Sequence, residues 1–224
     1  MQQIEPLVYG KYFHIFNRGT NSCNLFVESA NYKHFLELYD KYIPQVADTY
    51  AWVLMKNHFH VLVRIKEQNE IGFIPDPTLS AVGDPKRVGC LSEVGDPKSG
   101  KPPKRYNPSN QFSHLFNSYC QYFNKWTHRT GSLFEHPFHR KRVDELVYFK
   151  RLVRYVHNNP VHHKITEFAM DYPWSSYLTC LSLRPTQVKR DAVLGWFDSQ
   201  ANFISAHGEQ DDIVDLENWL GLPT

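Results

Sequence analysis

The chain has 224 residues, of which 42% are hydrophobic and 15% aromatic, and this composition is typical of a globular protein with one substantial core. No apolar run approaches the roughly 20 residues that span a membrane, so we expect no membrane partner. The first residues lack the basic and apolar regions of a secretory signal, and the four cysteines have neither metal-site nor disulfide-frame spacing. A cytoplasmic protein with reduced thiols is therefore predicted.

The net charge of +2 hides a strong asymmetry along the chain. Residues 1–190 carry a formal charge of +9, residues 191–224 carry −7, and the segment 101–164 alone carries +9. A concentrated positive field predicts a polyanionic partner such as a nucleic acid. A basic surface that binds no ligand is the alternative.

The hydrophobic pattern predicts seven elements in the order β-α-β-β-α-β-α. They are expected at residues 12–17, 29–42, 49–55, 58–65, 111–127, 138–143 and 144–159. This order indicates an α+β fold of the ferredoxin-like type, an antiparallel sheet with helices on one face. We expect the last helix of the series to cross the opposite face of the sheet.

The strand at 58–65 begins with the pattern His-Phe-His. Side chains at positions i and i+2 of a strand leave the same face, so His58 and His60 would project together, while Phe59 and Val61 would face the core. Two imidazoles on one stiff strand could share a metal ion. Two half-buried structural histidines are the alternative.

After this strand the regular pattern stops. Residues 71–108 hold 7 of the 14 prolines, and the sequence Val-Gly-Asp-Pro-Lys occurs twice, at 82–86 and at 94–98. This composition predicts a low-complexity insertion at about 66–108. A DNA-clamping loop and a tolerated insert both remain open as its role.

The last predicted helix carries a second group of polar side chains. Asp144 is the expected N-cap, and the proline after Asn159 is expected to end the helix there, with His162 and His163 beyond it. Tyr155 and Asn159 are four residues apart and so are neighbours on one helix face. A phenol beside an amide oxygen fits a nucleophile beside a metal ligand, although a structural tyrosine near a C-terminal asparagine is also common.

Taken in this order, the motifs resemble those of the single-tyrosine HUH transposases, and in particular the REP-associated tyrosine transposases of the IS200-like group. The resemblance covers roughly residues 8 to 205. The matching segments are His58-Phe59-His60, Gly131-Ser132-Leu133-Phe134 leading to Phe138-His139-Arg140, Tyr155 with Asn159-Pro160-Val161, Tyr12 to Gly19, and Tyr172 to Tyr177.

The resemblance implies cleavage and joining of single-stranded DNA through a covalent 5′-phosphotyrosine. It implies Tyr155 as the nucleophile, and His58, His60 and Asn159 as ligands of a divalent metal, Mg²⁺ or Mn²⁺. Better-known insertion-sequence relatives have a glutamine where Asn159 stands, so the third ligand departs from their pattern. The implied partner is single-stranded or hairpin DNA of palindromic repeats, and a homodimer is left open.

Several basic residues near these motifs are candidates for contacts with DNA phosphates. They are Arg64, Arg129, Arg140, Lys141, Arg142, Arg151 and Arg154. Two other functions remain as alternatives. One is a domesticated DNA-binding protein of the same fold that does not cleave, and the other is an RNA-binding ferredoxin-like module, for which the paired aromatic motifs are missing.

Residues 1–170 are expected to form the HUH domain, and residues 171–224 a helical, acidic C-terminal extension packed on its core. Helices are predicted within this extension at 193–203 and 211–220. The acidic tail has two interpretations. It could fold over the basic surface and compete with DNA through long-range attraction, or its apolar side chains could cap the core with the carboxylates in solvent.

Overall fold

The computed structural model describes residues 5–75, 103–209 and 213–220. Both copies of the Val-Gly-Asp-Pro-Lys repeat lie outside the described residues, so the predicted character of the insertion stays a prediction. Within the described ranges, no helix is both long enough and apolar enough to cross a membrane.

The elements follow the expected order and continue into a helical C-terminal part. The strands are β1 (Tyr12–Arg18), β2 (Ala47–Leu54), β3 (His58–Ile65) and β4 (His139–Val143). The α-helices of the described residues are α1 (Ser29–Tyr42), α2 (Pro108–Thr127), α3 (Leu146–His162), α4 (Tyr177–Leu181), α5 (Arg190–Trp196), α6 (Gln200–His207) and α7 (Ile213–Leu220).

The four strands form one antiparallel sheet in the order β2-β3-β1-β4. This is the topology of a ferredoxin-like α+β fold, which confirms the predicted fold class. The two central strands, β1 and β3, pair so that Phe16 lies opposite His60 and Arg18 lies opposite His58. The start of β3 and the end of β1 therefore meet at one end of the sheet.

Helices α1 and α2 pack on one face of this sheet. The core there contains Phe13 and Ile15 from β1, Phe59 and Val61 from β3, and Phe35 from α1. In each strand these residues lie two positions apart, so their side chains leave the same face of the sheet. The predicted assignment of Phe59 and Val61 to the core is confirmed.

Helix α3 crosses the opposite face, as expected from the sequence. Val153 and Val156 of α3 pack with Leu62 of β3 and with Val53 of β2 in a second core. The same core takes in apolar side chains from α4, α5, α6 and α7. The C-terminal helices thus pack on the α3 side of the sheet. The division of the chain at residue 170 stays a prediction.

Both ends of α3 differ from the prediction. Asp144 does not cap the helix, because its carboxylate binds Arg142 at 2.8 Å, and the helix begins at Leu146. The helix also continues through Pro160, and its last turn is closed by the His163 amide, which donates to the Asn159 carbonyl at 3.1 Å. The prediction that α3 ends near Asn159 is therefore wrong by about one turn.

The predicted helix at 193–203 is also wrong as a single element. The structure divides this region into α5 and α6, with Asp198 between them in a left-handed conformation at φ 67°. Ser199 accepts a hydrogen bond from the Asn202 amide at 3.1 Å and so caps the second helix. This break turns α6 so that Phe203 and His207 enter the core.

Candidate active site

A pocket of about 270 Å³ lies where the start of β3 meets the end of β1, beneath α3 and α7. It brings together His58, His60 and Tyr155, which are far apart in the sequence. Its lining residues are Phe16, Asn17, Arg18, Asn57, His58, His60, His139, Tyr155, His163 and Glu217.

The two histidines of β3 lie side by side on this face of the sheet. Their ring centroids are 5.1 Å apart, and His60 is only 3% exposed. Burial lowers the pKa of His58 to about 4, and burial also holds the pKa of His60 well below its usual value. Both imidazoles are therefore neutral at pH 7, which is the form that binds metal ions.

Asn159 lies on α3, and its side-chain oxygen Oδ1 is 3.0 Å from Nε2 of His58. The other ring nitrogen of His58, Nδ1, is 2.8 Å from Oδ1 of Asn57. Because a neutral imidazole carries one N–H proton, His58 can donate to only one of these two oxygens. When that proton is donated to Asn57, the lone pair of Nε2 and the oxygen of Asn159 face each other at 3.0 Å. Two such electron donors would be stabilised by a cation that both of them bind.

One pair of the candidate donors has the spacing of metal ligands. Ligand atoms of an octahedral Mg²⁺ site lie about 2.1 Å from the ion, which places neighbouring ligands about 3 Å apart. The His58–Asn159 separation matches this spacing. Among the described residues no group of three or more His, Cys, Asp or Glu side chains is placed to hold a metal. A donor set here would therefore consist of two imidazoles and the amide oxygen.

Tyr155 closes one side of the pocket. Its ring centroid is 5.4 Å from that of His60, and its hydroxyl donates to Oε1 of Glu217 at 3.5 Å. Burial and the negative charge of Glu217 raise the pKa of the Tyr155 phenol above its usual range, while a hydrogen bond with Asn159 acts in the opposite direction. The phenol is thus protonated at neutral pH and is a weak nucleophile in this state.

Glu217 is a site residue that the motifs did not identify. It lies on α7, whose Leu216 and Leu220 are buried in the core beside α3, and this packing turns Glu217 toward Tyr155. The only sequence signal was the excess of acidic residues after 190. A competitor for the basic surface was one of the two interpretations of that signal, but the signal could not indicate which carboxylate enters the site.

Further contacts attach α7 to α3. The ring of Trp219 stacks on Tyr148, with centroids 4.3 Å apart and planes 10° apart, and Arg151 binds Asp215 at 2.9 Å. The acidic helix therefore lies across the site while its apolar side chains enter the core. The packing of the apolar side chains agrees with the second interpretation of the tail, and the competition of the tail with DNA stays a prediction.

His163 and His139 also line the pocket. The ring of His163 is 5.2 Å from that of His58, because the additional turn of α3 carries it there. His139, at the start of β4, stacks on Phe16 with centroids 4.8 Å apart. The sequence places His163 only beyond the predicted end of α3, and no motif identifies it as a site residue.

The predicted DNA-contacting residues of α3 have acidic partners in the C-terminal part. Arg151 binds Asp215, and Arg154 forms an ion pair with the Glu209 carboxylate at 3.6 Å. These arginines lie on the helix that carries Tyr155. Their charges are therefore next to the pocket and are engaged by the acidic extension.

The other five predicted basic residues also contact protein groups. Arg64 lies at the far end of β3 from His58 and binds Asp48 at 2.8 Å and Glu70 at 2.9 Å. The remaining contacts are Arg129 with the Ser132 carbonyl (3.4 Å), Arg140 over the ring of Phe138 (3.9 Å), Lys141 over the ring of Trp219 (5.3 Å) and Arg142 with Asp144 (2.8 Å). Their role in DNA binding stays a prediction.

Comparison with known proteins supports the fold. Neither a family model nor a curated protein sequence matches this chain. Among solved structures, a REP-associated tyrosine transposase bound to a REP hairpin superposes with a TM-score of 0.55, covering 83% of this chain and 88% of that chain at 12% sequence identity. This protein therefore shares the fold of a REP-associated tyrosine transposase, as the resemblance of its motifs predicted.

Proposed function

We propose that this protein is a metal-dependent, single-tyrosine DNA endonuclease and strand transferase that acts on single-stranded or hairpin DNA. The observation that carries the proposal is that Tyr155 and the His58–His60 pair line one pocket, with Asn159 in contact with His58 at 3.0 Å. The shared fold supports it, since the similar transposase structure is bound to a hairpin. Palindromic repeats are the substrate class that we propose for this chain.

His58, His60 and Asn159 would hold the metal ion, Mg²⁺ or Mn²⁺. Bound there, a divalent cation supplies Lewis-acid stabilisation of the charge that develops on the scissile phosphate. The protein contributes two imidazoles that burial keeps neutral and one amide oxygen. Three protein ligands leave coordination positions open to phosphate oxygens and water, and imidazole ligands favour Mn²⁺ over Mg²⁺.

Tyr155 would attack the phosphorus atom. A bond forms between the phenolic oxygen and phosphorus, the bond to the 3′-oxygen breaks, and that oxygen leaves as a hydroxyl while the phenol loses its proton. The product is a 5′-phosphotyrosine, which keeps the free energy of the phosphodiester. A second 3′-hydroxyl can then attack it and join two DNA ends without ATP.

One chain carries all the groups that this reaction needs. Tyr155 and His60 of the same chain have ring centroids 5.4 Å apart, so we propose that Tyr155 acts on its own metal site. A homodimer, if formed, would not be required to complete the site.

A non-cleaving DNA-binding protein of the same fold is the second candidate. The observation that favours it is the contact of Glu217 with Tyr155, because a carboxylate beside the phenol opposes its ionisation and repels a phosphate. In this alternative the chain binds hairpin DNA on the basic surface, and the site stays closed.

The deciding experiment is incubation of the full chain with end-labelled hairpin DNA and Mn²⁺, followed by denaturing electrophoresis. We expect a covalent adduct that Tyr155→Phe abolishes while DNA binding is kept, because only the nucleophilic oxygen is lost. Tyr148→Phe is the matched control, since Tyr148 lies on the same helix but stacks on Trp219. No adduct with the wild-type protein, or an adduct that survives Tyr155→Phe, would contradict the proposal.

A further inference from the structure

A third histidine lies behind the candidate metal ligands. His14 of β1 is a diagonal neighbour of His60 on the same face of the sheet, because the residue opposite His60 is Phe16. Nε2 of His14 is 3.0 Å from Nδ1 of His60, and the two ring planes differ by 10°. Neither ring is open to solvent, with exposures of 0% and 3%.

The hydrogen bond determines which nitrogen of His60 faces the pocket. Nδ1 is engaged by His14, so Nε2 is the nitrogen that remains for a metal ion. A nitrogen that binds metal uses its lone pair, and the single proton of a neutral imidazole must then lie on the other nitrogen. In a metal-bound site, His60 would therefore donate its Nδ1–H to Nε2 of His14.

The opposite direction of this bond would block the site. If His14 donated from Nε2, the proton of His60 would lie on its own Nε2 and point into the pocket. When His14 accepts from His60 instead, its own proton lies on Nδ1, which has no hydrogen-bond partner among the described residues. A buried N–H without a partner costs free energy, so binding of the metal ion to Nε2 of His60 must offset this cost.

His58 shows a matching arrangement. Its Nδ1 is 2.8 Å from Oδ1 of Asn57, and its Nε2 points toward Asn159. In both candidate ligands a neighbouring side chain therefore contacts Nδ1, and in His58 the other nitrogen, Nε2, faces the third candidate ligand, Asn159. Outer partners of this kind fix the tautomer and orientation of metal-binding histidines.

We propose that His14 is a positioning residue of the metal site, which accepts the Nδ1–H of His60 and so holds Nε2 of His60 as the ligand atom. This inference rests on the proposed metal site and adds a residue to it. It requires His14 to be a hydrogen-bond acceptor at one position, whereas a packing role would require only its size.

The test is calorimetric titration of the full chain with Mn²⁺. His14→Leu cannot accept a hydrogen bond, and we expect it to weaken Mn²⁺ binding by about 10- to 100-fold, as loss of an outer partner does. His14→Gln can place its amide oxygen near the position of Nε2 and should stay close to the wild-type affinity. Tyr39→Phe is the control, because it removes a buried 2.8 Å hydrogen bond to Thr49 away from the pocket and should not change affinity.

Two outcomes would overturn the inference. Wild-type affinity in His14→Leu would make His14 structural, and a loss in His14→Gln as large as that in His14→Leu would assign the effect to packing. If His14→Leu does not fold, ¹⁵N NMR of the wild-type protein with diamagnetic Zn²⁺ decides. We expect the protons of both rings on Nδ1, and a proton on Nε2 of His14 would refute the proposal.

The same titration separates this inference from the proposed function. In one outcome the wild-type protein binds Mn²⁺, the affinity is lower in His60→Ala and in His14→Leu, and no DNA adduct forms. This outcome would support the role of His14 and refute cleavage. Adduct formation together with unchanged Mn²⁺ affinity in His14→Leu would refute the role of His14 and leave the proposed function intact. Wild-type protein that binds no Mn²⁺ would refute the metal site and the role of His14 together.

Discussion

Glu217 places a carboxylate in the pocket that we propose receives a DNA phosphate. Its Oε1 is 3.5 Å from the hydroxyl of Tyr155, and it lines the same space as His58 and His60. The substitution Glu217→Gln keeps the size of the side chain and removes its charge. Leu216 and Leu220 of α7 stay in place, so the helix should remain packed on the core.

The size of the effect follows from Coulomb's law. Two unit charges about 4 Å apart repel by about 1 kcal/mol in water and by about 4 kcal/mol at an effective dielectric constant near 20. Glu217 is partly exposed, so the lower part of this range applies. We expect Glu217→Gln to tighten hairpin DNA binding by about tenfold, which corresponds to about 1.4 kcal/mol.

Adduct formation should also become faster. After burial, the charge of Glu217 is the next cause of the raised pKa of Tyr155, so its removal brings the phenol closer to its usual pKa. Fluorescence anisotropy at two salt concentrations measures the affinity, and single-turnover adduct formation measures the rate. The gain in affinity should shrink at high salt, because partly exposed charges are screened.

Glu37→Gln is the matched control for this experiment. It removes the same charge from α1, on the opposite face of the sheet, and should leave both affinity and rate unchanged. Slower adduct formation in Glu217→Gln with DNA binding intact would refute the reasoning, since Glu217 would then be the base that takes the phenol proton. No change in either quantity would mean that α7 only covers the core.

Two further predictions concern the histidines and the amide. In Mn²⁺ titrations His58→Ala and His60→Ala should each remove most of the affinity, and Asn159→Ala should weaken it less because a neutral amide is the weakest ligand; unchanged affinity in both histidine variants would make the pair structural. Urea unfolding at pH 7, 6 and 5 should show that the free energy of unfolding decreases as the pH is lowered. Burial lowers the pKa of His14 to about 3 and of His58 to about 4, so below pH 6.5 the unfolded chain binds more protons than the folded chain. Each such histidine contributes up to about 1.4 kcal/mol per pH unit in this window, and a flat profile would contradict the burial of these rings.

The parts of the site that the sequence predicts are those set by local geometry. The two-residue period of a strand places His58 and His60 on one face, and the 3.6-residue period of a helix places Asn159 beside Tyr155. The structure agrees on both, since the ring centroids of His58 and His60 are 5.1 Å apart and Tyr155 has a hydrogen bond with Asn159. Neither relation depends on how the elements pack.

The parts that the sequence did not predict depend on packing. Glu217 reaches the pocket because Leu216 and Leu220 fit the core beside α3, which no local pattern near Tyr155 indicates. His163 reaches it because α3 continues through the proline to His162. His14 reaches His60 through the register of β1 against β3, and that register is formed only when the sheet is complete.

Burial favours the proposed role of the two histidines in this site and opposes that of the tyrosine. Removal from water keeps His58 and His60 neutral and so prepares them to bind a cation, but it also raises the pKa of Tyr155 and makes the phenol a poorer nucleophile. The charge of Glu217 raises the pKa of Tyr155 further. A positive charge at the histidines would favour the phenolate, and displacement of Glu217 by DNA would remove the opposing charge. Reactivity of Tyr155 therefore should require both a bound cation and a bound substrate, so that neither alone activates the nucleophile.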